Sequence, residues 1–442
     1  MVASVVLVMN IVQITPGAGS MLCGGCFRDN ALVAALRRAG HQALMVPLYL
    51  PLTLDEPDQS ADIPIFYGGL NVYLEQKSAL FRRLPRWFRQ MLASRRLLKW
   101  AGTRAAKTRA EDVGELTLSM FRGEEGRQAV ELDQLIAWLK TQPKPDLICL
   151  SNVMLIGMAR RLRAELGAPV ACLLGGEDSF LDGLPESIRD ASWAVLTDRC
   201  RDVDLFLPPS HYFAALMSQR LQLRPDRVAV LPVGINLDGY PAAARGASQL
   251  PASDTAPVLG FFARMCQQKG LDTLIDAFIV LKKFPAKSKV RLHVGGGCGP
   301  GDEPFVAEQR RKLEAAGVLG DVAFFPNVDH ARKIEFLQGL TVFSTPALYG
   351  EAFGLYLIEA MAAGVPVVQP RHAAFPEMIE ATGGGILCEP GNATSLAVGI
   401  ESLLLDLKCA REIGERGRRA VHEKFGIDQM AGELVRLVNQ RC

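Results

Sequence analysis

Apolar runs alternate with glycine-containing loops and helical patterns along most of the chain. Near the start, the apolar run SVVLVMNIVQI is followed by the loop TPGAGSMLCGGC, the helical pattern NALVAALRRAGH and a second apolar run, ALMVPLYL. A short apolar run bounded by glycines predicts a buried strand, and apolar positions three and four residues apart predict an amphipathic helix. The sequence therefore opens with a predicted strand, loop, helix and strand.

The same order of elements recurs in the second half, where PVLGFFARM, QQKG, LDTLIDAFIVLKKF and KVRLHVGGG follow one another. Strands that alternate with helices predict parallel sheets with helices on both faces. The expected fold class is therefore α/β, with two doubly wound Rossmann-like domains. Because ligands bind outside the carboxyl ends of strands in such sheets, we expect functional residues in the loops after strands, facing a cleft between the domains.

Composition suggests where the domains end. The stretch Gly239–Pro257 is rich in Pro, Ala, Ser and Gly without periodicity, which is typical of a linker. The predicted parts, in chain order, are a first domain at 1–240 with a basic helical insertion at about 70–125, a linker at 241–256, a second domain at 257–426 and a C-terminal amphipathic helix at 427–442.

Length and composition narrow the class of protein. With 442 residues, 49% of them hydrophobic and 22% charged, the chain is expected to be globular, with two or three domains. The first residues, MVASVVLVMNIVQI, lack the basic start of a secretory signal, and no apolar run reaches the ~20 residues of a membrane-spanning helix. We therefore expect a cytoplasmic protein.

The ten cysteines are scattered, and only Cys23 and Cys26 form a close pair. A disulfide scaffold or a four-cysteine zinc site is not expected from this spacing. For Cys23 and Cys26, the favoured interpretation is small side chains in a tight loop. A redox pair and metal ligation are the alternatives.

The basic charge is concentrated in one segment. Lys77–Arg109 contains eleven Lys or Arg and no Asp or Glu, and without those eleven only 38 of the 49 basic residues remain against 47 acidic ones. Aromatic and aliphatic residues alternate with the arginines, as in LFRRLPRWFRQMLASRRLLKW. Such a segment could pack on its domain, form a lid, bind an acidic acceptor or contact an anionic membrane peripherally. Nucleic acid is not an expected partner because no recognition fold accompanies the patch.

Two glutamates lie in the apolar stretch ALYGEAFGLYLIEAMAAGVPVV. Because an unpaired carboxylate is costly among apolar groups, Glu351 and Glu359 need partners. Glu351 falls in a loop after the predicted strand LTVFSTP, and Phe353, Gly354 and Leu355 open a helix whose first N–H groups favour a phosphate. Glu359, further along that helix, could accept both hydroxyls of a ribose or face solvent.

The residues Glu351, Ala352, Phe353, Gly354 and Glu359 resemble the signature of family-4 glycosyltransferases of the GT-B type. The resemblance implies a GT-B fold with an acceptor domain followed by a nucleotide-sugar donor domain. It also implies that the first glutamate contacts donor-sugar hydroxyls, that the amides after the Phe-Gly pair hold the pyrophosphate, and that the second glutamate holds the ribose. Transfer would retain the anomeric configuration.

A second segment, FFARMCQQKGLDTLIDAF, places Arg264 and Lys269 in a loop between a predicted strand and helix. Two cations at such a position can neutralise a departing diphosphate. The alternative is that both are solvated surface charges. The segment also resembles the donor-side pattern of the family, in which an Arg and a Lys five positions apart grip the diphosphate.

The other donor-binding candidates also lie in loops or at strand ends. Glycines there allow close approach of the backbone to a nucleotide, and amides at the start of the first helix can approach the donor phosphate. The segment AFFPNVDHARKIEFL resembles the part of the family whose backbone faces the base. These candidates are Gly17, Gly19, Gly25, Gly295, Gly296 and Val328.

The sequence departs from the family at two places. Relatives often carry a catalytic histidine near PVACLLGGEDSF, where this chain has none, so the matching role, if the chain keeps it, passes to Glu177 or Asp178, either of which could take a proton from the acceptor hydroxyl. Helix capping is the alternative role for Asp178. The family also often has a glycine before its Pro-Glu pair, whereas RHAAFPEM carries Ala373 and Ala374.

An Asp-x-Asp pattern at Asp202 and Asp204 could suggest a metal-dependent glycosyltransferase of the other major fold. The surrounding DLFLPPSHYFAALM predicts a structural strand instead, and two carboxylates alone do not make a Mg²⁺ site. We expect no metal and no cofactor other than a nucleoside-diphosphate sugar as co-substrate, because fixed cations and helix amides can take the place of Mg²⁺ at the phosphates.

The predicted function is transfer of a sugar from a nucleoside-diphosphate sugar to a hydroxyl acceptor, with a polysaccharide or a lipid-linked molecule as candidate acceptors. A nucleotide-sugar epimerase on the same fold and a non-catalytic sugar-nucleotide-binding protein are the alternatives. The expected location is the cytoplasm, with peripheral contact on the inner membrane face if the basic insertion binds lipid.

Overall fold

The computed structural model describes residues 8–17, 24–52, 54, 56–68, 110–242, 256–283 and 289–441. Most of the predicted basic insertion, most of the predicted linker, Gly19 and Cys23 lie outside these residues. The chain divides into two compact units, one made of Met1–Pro232 and Ile427–Cys442 and the other of Val233–Gly426. Within the described residues, no helix combines the length and the apolar character needed to cross a membrane.

The first unit contains a five-stranded parallel sheet in the order β2-β1-β3-β4-β5. Every residue of β3, β4 and β5 is buried, as expected for strands covered on both faces. The strands are β1 (Asn10–Pro16), β2 (Gln42–Leu48), β3 (Leu147–Leu150), β4 (Val170–Leu173) and β5 (Leu205–Leu207).

Seven helices in the described part of Met1–Pro232 connect and flank these strands. They are α1 (Gly24–Arg38), α2 (Ala110–Phe121), α3 (Ala129–Leu139), α4 (Ala159–Leu166), α5 (Glu177–Asp182), α6 (Glu186–Arg199) and α7 (His211–Leu221). Going along the chain, the sheet grows from β1 to β2 on one side and then from β3 to β5 on the other. The direction of growth therefore reverses between β1 and β3.

The second unit contains a six-stranded parallel sheet in the order β11-β10-β9-β6-β7-β8. Read from β8, this is the 3-2-1-4-5-6 order of a doubly wound dinucleotide-binding fold, and the order reverses between β6 and β9. The strands are β6 (Val258–Phe262), β7 (Arg291–Gly296), β8 (Val322–Pro326), β9 (Val342–Phe343), β10 (Val367–Pro370) and β11 (Gly385–Cys388).

The helices of the second unit pack on this sheet through apolar faces. In the first of them, Leu271, Leu274, Ile275, Phe278 and Leu281 are fully buried, at the three- and four-residue spacing of an amphipathic helix. The helices that follow β6 are α8 (Leu271–Lys282), α9 (Glu303–Ala315), α10 (His330–Gln338), α11 (Leu355–Ala362), α12 (Phe375–Thr382), α13 (Ala393–Leu405), α14 (Leu407–Lys424) and, returning to the first unit, α15 (Ile427–Arg441).

Two segments show how the chain passes between the units. The C-terminal helix α15, whose position the sequence left open, packs against α1, and Arg38 pairs with Asp428 at 2.7 Å. Residues after Pro232 are bound to the second unit, because the Ile235 N–H donates to the Phe425 carbonyl at 2.9 Å and Arg418 donates to the carbonyls of Pro241 and Ala242, the first two residues of the predicted linker. The crossing to the second unit thus precedes residue 241.

Candidate functional site

Two loops meet where the strand order of the second sheet reverses. The loop after β6 carries Lys269, and the loop after β9 carries Glu351. Gly270, at φ +73°, permits their close approach, since a Cβ there would lie 1.9 Å from the Pro346 carbonyl oxygen. The Leu348 N–H also donates to the Gln268 carbonyl at 3.0 Å. A strand-order reversal is where open α/β sheets bind ligands, so these loops form the candidate site.

Glu351 has the partners that its apolar surroundings demand. Its Oε2 accepts hydrogen bonds from Lys269 Nζ at 2.7 Å, from the Tyr356 hydroxyl at 2.8 Å and from the Tyr349 hydroxyl at 2.9 Å. The Lys269 side chain is only 20% exposed, and the Glu351 side chain is only 13% exposed. The structure thus brings together Lys269 and Glu351, two residues that the sequence singled out separately.

Lys269 and the two tyrosines form a compact polar cluster around that carboxylate. The lysine Nζ lies 4.8 Å and 5.2 Å from the ring centroids of Tyr349 and Tyr356, close enough for cation–π attraction, and it also donates to the Tyr349 hydroxyl. Burial, with the neighbouring Glu351 charge second, raises the pKa of Tyr356 well above its ordinary value. Tyr356 therefore stays protonated as a hydrogen-bond donor at neutral pH.

Sequence reasoning missed both tyrosines, although they lie in the same apolar stretch as Glu351. A usable signal was present, because a tyrosine among apolar residues brings a hydroxyl that normally finds a polar partner when buried. The nearest candidate acceptor for Tyr349 and Tyr356 was Glu351 itself, two and five residues away.

Helix α11 begins beside this cluster. Gly354 precedes its first residue with φ +88°, and Phe353 is buried with its ring packed on Phe425 at a centroid distance of 6.1 Å. The Leu357 N–H donates to the Gly354 carbonyl at 2.9 Å, which leaves the N–H groups of Leu355 and Tyr356 as the ones at the helix start without a carbonyl partner within the helix. This start can bind an anion next to Lys269.

Glu359 does not face open solvent, which was the alternative to ribose binding. Its Oε1 accepts from Lys333 Nζ at 2.8 Å, and both side chains are largely buried. Lys333 was not singled out from the sequence, although it lies in the segment taken to face the base. It is on α10, which is capped by Asp329.

Val328 directly follows Asn327, whose side-chain amide makes two hydrogen bonds of 2.9 Å with the backbone of Cys298. These bonds tie the loop after β8 to the loop after β7. Val328 itself is half-buried and precedes α10. Asn327 thus holds in place the backbone at Val328, which the sequence predicts to face the base.

The glycines that end β7 are required by packing. A Cβ on Gly296, which has φ +118°, would lie 2.0 Å from the Ala263 carbonyl oxygen, and one on Gly295 would lie 2.6 Å from the Phe262 ring. The nearest groups to these glycines are therefore the side chain of Phe262, the last residue of β6, and the backbone of Ala263, which follows it. This close approach brings the loop that starts at Ala263 beside the loop after β7.

Arg264 is in that loop and is bound by a carboxylate that sequence reasoning missed. Its Nε lies 3.0 Å and 3.1 Å from the two oxygens of Asp302, and its Nη2 lies 2.9 Å from Oδ1. The Arg264 side chain is nevertheless 64% exposed, while Asp302 is buried. The guanidinium is thus oriented by Asp302 and still open to solvent.

In the first unit, the glycine loop after β1 is packed tightly. The Gly17 N–H donates to the Leu48 carbonyl at 2.8 Å, and a Cβ on Gly17 would lie 1.7 Å from the Leu50 carbonyl oxygen. Gly25 lies in the first turn of α1. Cys26 is buried, and its Sγ donates to the Pro16 carbonyl at 3.1 Å.

Glu177 and Asp178, the two candidate bases, have different surroundings. Glu177 accepts from the Gly175 N–H at 2.8 Å and the Val153 N–H at 3.2 Å, one on each oxygen, as a structural carboxylate does. Asp178 Oδ1 is buried and accepts no hydrogen bond from the described residues. Burial raises the pKa of both carboxyls. Of the two, only Asp178 has an oxygen without a partner.

A buried polar cluster that the sequence analysis overlooked lies where the first sheet reverses. Arg28 pairs with Asp29 at 2.8 Å and donates to the Ser151 carbonyl at 2.6 Å, and Thr15 donates to Asp29 at 2.9 Å. The signal was the run Arg-Asp-Asn at the start of an otherwise apolar helix. These contacts join the ends of β1 and β3.

The Asp-x-Asp carboxylates are held by arginines and backbone. Asp202 accepts from Arg160 Nε at 3.0 Å, and Asp204 pairs with Arg163 at 2.9 Å while accepting from the Val170 N–H at 2.9 Å. Both carboxylates thus have structural partners beside β5.

Ala373, one of the two residues where the family often has glycine, lies in the left-handed region at φ +53°. This conformation costs an L-residue about 1–2 kcal/mol, which a glycine would not lose. The greater freedom of glycine in the unfolded chain offsets about 0.5–1 kcal/mol of that gain in stability. We expect Ala373→Gly to raise the free energy of unfolding by about 0.5–1 kcal/mol in denaturant titrations. Ala374→Gly, at φ −77°, is the control and should lower it; equal destabilisation by both would contradict the prediction.

The two doubly wound units, with a lysine–glutamate pair at the strand-order reversal of the second, define a GT-B fold. Two family models match the chain, "Glycosyl transferase 4-like domain" over residues 30–234 and "Glycosyl transferases group 1" over residues 247–420. The chain belongs to the family-4-like glycosyltransferases of the GT-B type.

One curated relative and two solved structures show how similar the chain is to individual proteins. The phosphatidyl-myo-inositol mannosyltransferase of Mycobacterium leprae is 30% identical over 208 residues, which are 47% of this chain and 52% of that protein. The chain thus spans about half the length of that curated relative. Among solved structures, the sucrose-phosphate synthase of Thermosynechococcus elongatus superposes with a TM-score of 0.67 at 21% identity over 98% of both chains. Anabaena HepE in complex with UDP-glucose gives 0.65 at 17% identity, over 98% of this chain and 100% of that one.

Proposed function

We propose that this chain is a glycosyltransferase that moves a sugar from a nucleoside-diphosphate sugar to a hydroxyl acceptor. The observation that carries the proposal is the largely buried Lys269–Glu351 pair, which joins the two loops at the β6–β9 reversal beside the start of α11. The name of the mannosyltransferase relative and the UDP-glucose bound to HepE support the same class of reaction and of donor.

The proposed chemistry breaks the bond between the anomeric carbon and the diphosphate oxygen, so negative charge develops on the leaving diphosphate. Lys269, Arg264 and the N–H groups at the start of α11 are the groups that stabilise this charge. Lys269 can turn from Glu351 to the diphosphate, while the exposed Arg264 is already oriented by Asp302. Fixed cations of this kind make a catalytic metal unnecessary in the proposed reaction.

The sugar and the ribose are assigned to the two glutamates. Glu351 accepts hydrogen bonds from donor-sugar hydroxyls, and Glu359, held by Lys333, accepts from the ribose. We propose Asp178 as the base that removes the proton of the acceptor hydroxyl, because its buried Oδ1 accepts no bond from the described residues. A polysaccharide or lipid-linked acceptor, peripheral membrane contact and retention of configuration remain parts of this proposal.

Ligand-dependent stability tests the donor assignment. We expect UDP-glucose, UDP-N-acetylglucosamine or GDP-mannose to raise Tm in the presence of EDTA, because a ligand that binds only the folded state stabilises it, by about 2.7 kcal/mol at a hundredfold excess over Kd. Incubation of the stabilising sugar nucleotide without acceptor is the control for epimerisation. If no nucleoside diphosphate or sugar nucleotide shifts Tm, the proposed donor site is wrong; if an epimer accumulates without acceptor, the reaction is isomerisation.

A further inference from the structure

We propose that Tyr356 is a positioning residue for the donor sugar, whose hydroxyl fixes one carboxylate oxygen of Glu351 so that the other stays available for a sugar hydroxyl. The inference rests on the proposed function, because it takes the donor sugar as the ligand of Glu351. Its subject is the orientation in which this chain holds the Glu351 carboxylate for the donor sugar.

The hydrogen bonds on Glu351 are unevenly distributed between its two carboxylate oxygens. Lys269, Tyr349 and Tyr356 all donate to Oε2, at 2.7, 2.9 and 2.8 Å, and no described residue donates to Oε1. A carboxylate has about four acceptor positions, two on each oxygen. Three donors on Oε2 exceed the two positions of that oxygen, so they hold the group in one orientation, and the acceptor capacity of Oε1 is left to a ligand.

Tyr356 is the best-anchored of the three donors. It lies in the first turn of α11, it is 8% exposed, and its ring packs on Phe343 at a centroid distance of 6.3 Å. Tyr349, by contrast, lies in the loop before Glu351, and its hydroxyl also accepts from Lys269. A side chain fixed on a helix positions a functional group better than one on a loop.

Lys269 and Tyr356 differ in charge. Lys269 is a cation that a diphosphate attracts, so donor binding weakens or breaks its bond to Glu351. The Tyr356 hydroxyl is neutral, and the pKa of this phenol is raised by burial, so it neither follows the diphosphate nor loses its proton. Tyr356 can therefore keep Glu351 in place when Lys269 turns away.

The test compares Tyr356→Phe with Tyr349→Phe and with Tyr240→Phe, a buried tyrosine of the same unit that makes no bond to Glu351. Two quantities are measured: kcat/KM for transfer, and Kd for the nucleoside diphosphate alone. The probes are UDP with UDP-glucose or GDP with GDP-mannose, whichever pair stabilises the wild-type protein. Tm of each free variant shows whether it is folded.

We expect Tyr356→Phe to lower kcat/KM by about tenfold to a hundredfold, since it removes a hydrogen bond to a charged group, while Kd for the diphosphate changes less than twofold. Tyr349→Phe should lower kcat/KM by a smaller factor, and Tyr240→Phe should have the kcat/KM of the wild type. The inference is overturned if Tyr356→Phe keeps full transfer activity, if its diphosphate affinity falls as much as its kcat/KM, or if Tyr349→Phe is the more damaging change. If no nucleoside diphosphate or sugar nucleotide stabilises the wild-type protein, the proposed function itself fails.

Discussion

Replacing Glu351 with glutamine is expected to lower kcat/KM for sugar transfer by about a hundredfold, with little change in fold. The isosteric amide keeps the volume of the side chain but removes the negative charge that Lys269 and two tyrosines surround. Charge-assisted hydrogen bonds are about twice as strong as neutral ones, and Lys269 would be left largely buried without its counter-charge. Initial rates with saturating acceptor and varied sugar nucleotide measure the effect.

The matched control for this change is Glu380→Gln, because Glu380 is an exposed glutamate of the same unit, on α12. It should leave kcat/KM unchanged. A Glu351→Gln protein that transfers sugar at the wild-type rate, in an assay where the wild type is active, would show that the carboxylate is not part of the donor site. The chain would then fit a sugar-nucleotide-binding role for which the charge of Glu351 is not needed.

The sheets were the most predictable feature because their signals are local and repeated. Runs such as PVLGFFARM and KVRLHVGGG are bounded by glycines, and the strands they predict occur as β6 and β7. The α/β class with two doubly wound sheets is confirmed. The order of strands within a sheet was not predictable residue by residue, since pairing between β6 and β9 joins positions more than 80 residues apart.

The candidate site was predictable only where its chemistry follows a motif. Arg264, Lys269 and Glu351 stand in recognisable loops and Glu359 stands in α11, but the motifs do not name the groups that hold them. Tyr349 and Tyr356 lie in the same stretch as Glu351, whereas Lys333 and Asp302 come from elsewhere in the chain. A single side chain's sequence neighbours do not reveal which loop the fold will bring against it, and Asp302 lies 38 residues from Arg264.

The glycines show a second limit of what the sequence alone can predict about the site. The sequence predicts Gly17, Gly295 and Gly296 as positions where the backbone comes close to a nucleotide or its phosphate, because a glycine-rich loop at a strand end allows such an approach. The structure shows that the nearest group is the protein's own backbone or a neighbouring ring, at Leu50, Phe262 and Ala263 respectively. Their assignment as donor-binding residues therefore remains a prediction that the ligand must test.

Replacing Lys269 with methionine is expected to lower kcat/KM by a hundredfold to a thousandfold, the largest loss predicted for this chain. Removing one group that stabilises developing charge commonly costs about that much. Lys269→Arg should retain part of the activity, because it keeps the charge but not the compact ammonium that fits between the rings of Tyr349 and Tyr356. Lys408→Met, at an exposed lysine of α14, is the control.

A double-mutant cycle with Glu351→Gln distinguishes a joint role of the pair from two separate ones. If Lys269 and Glu351 act as a unit, the double variant should be little worse than Lys269→Met alone, because groups that act together are strongly non-additive. Multiplicative losses would instead mean that the 2.7 Å contact is incidental to transfer. Kd for the nucleoside diphosphate distinguishes phosphate binding from sugar binding. If the lysine binds phosphate and the glutamate binds sugar, this Kd should rise with Lys269→Met and stay unchanged with Glu351→Gln.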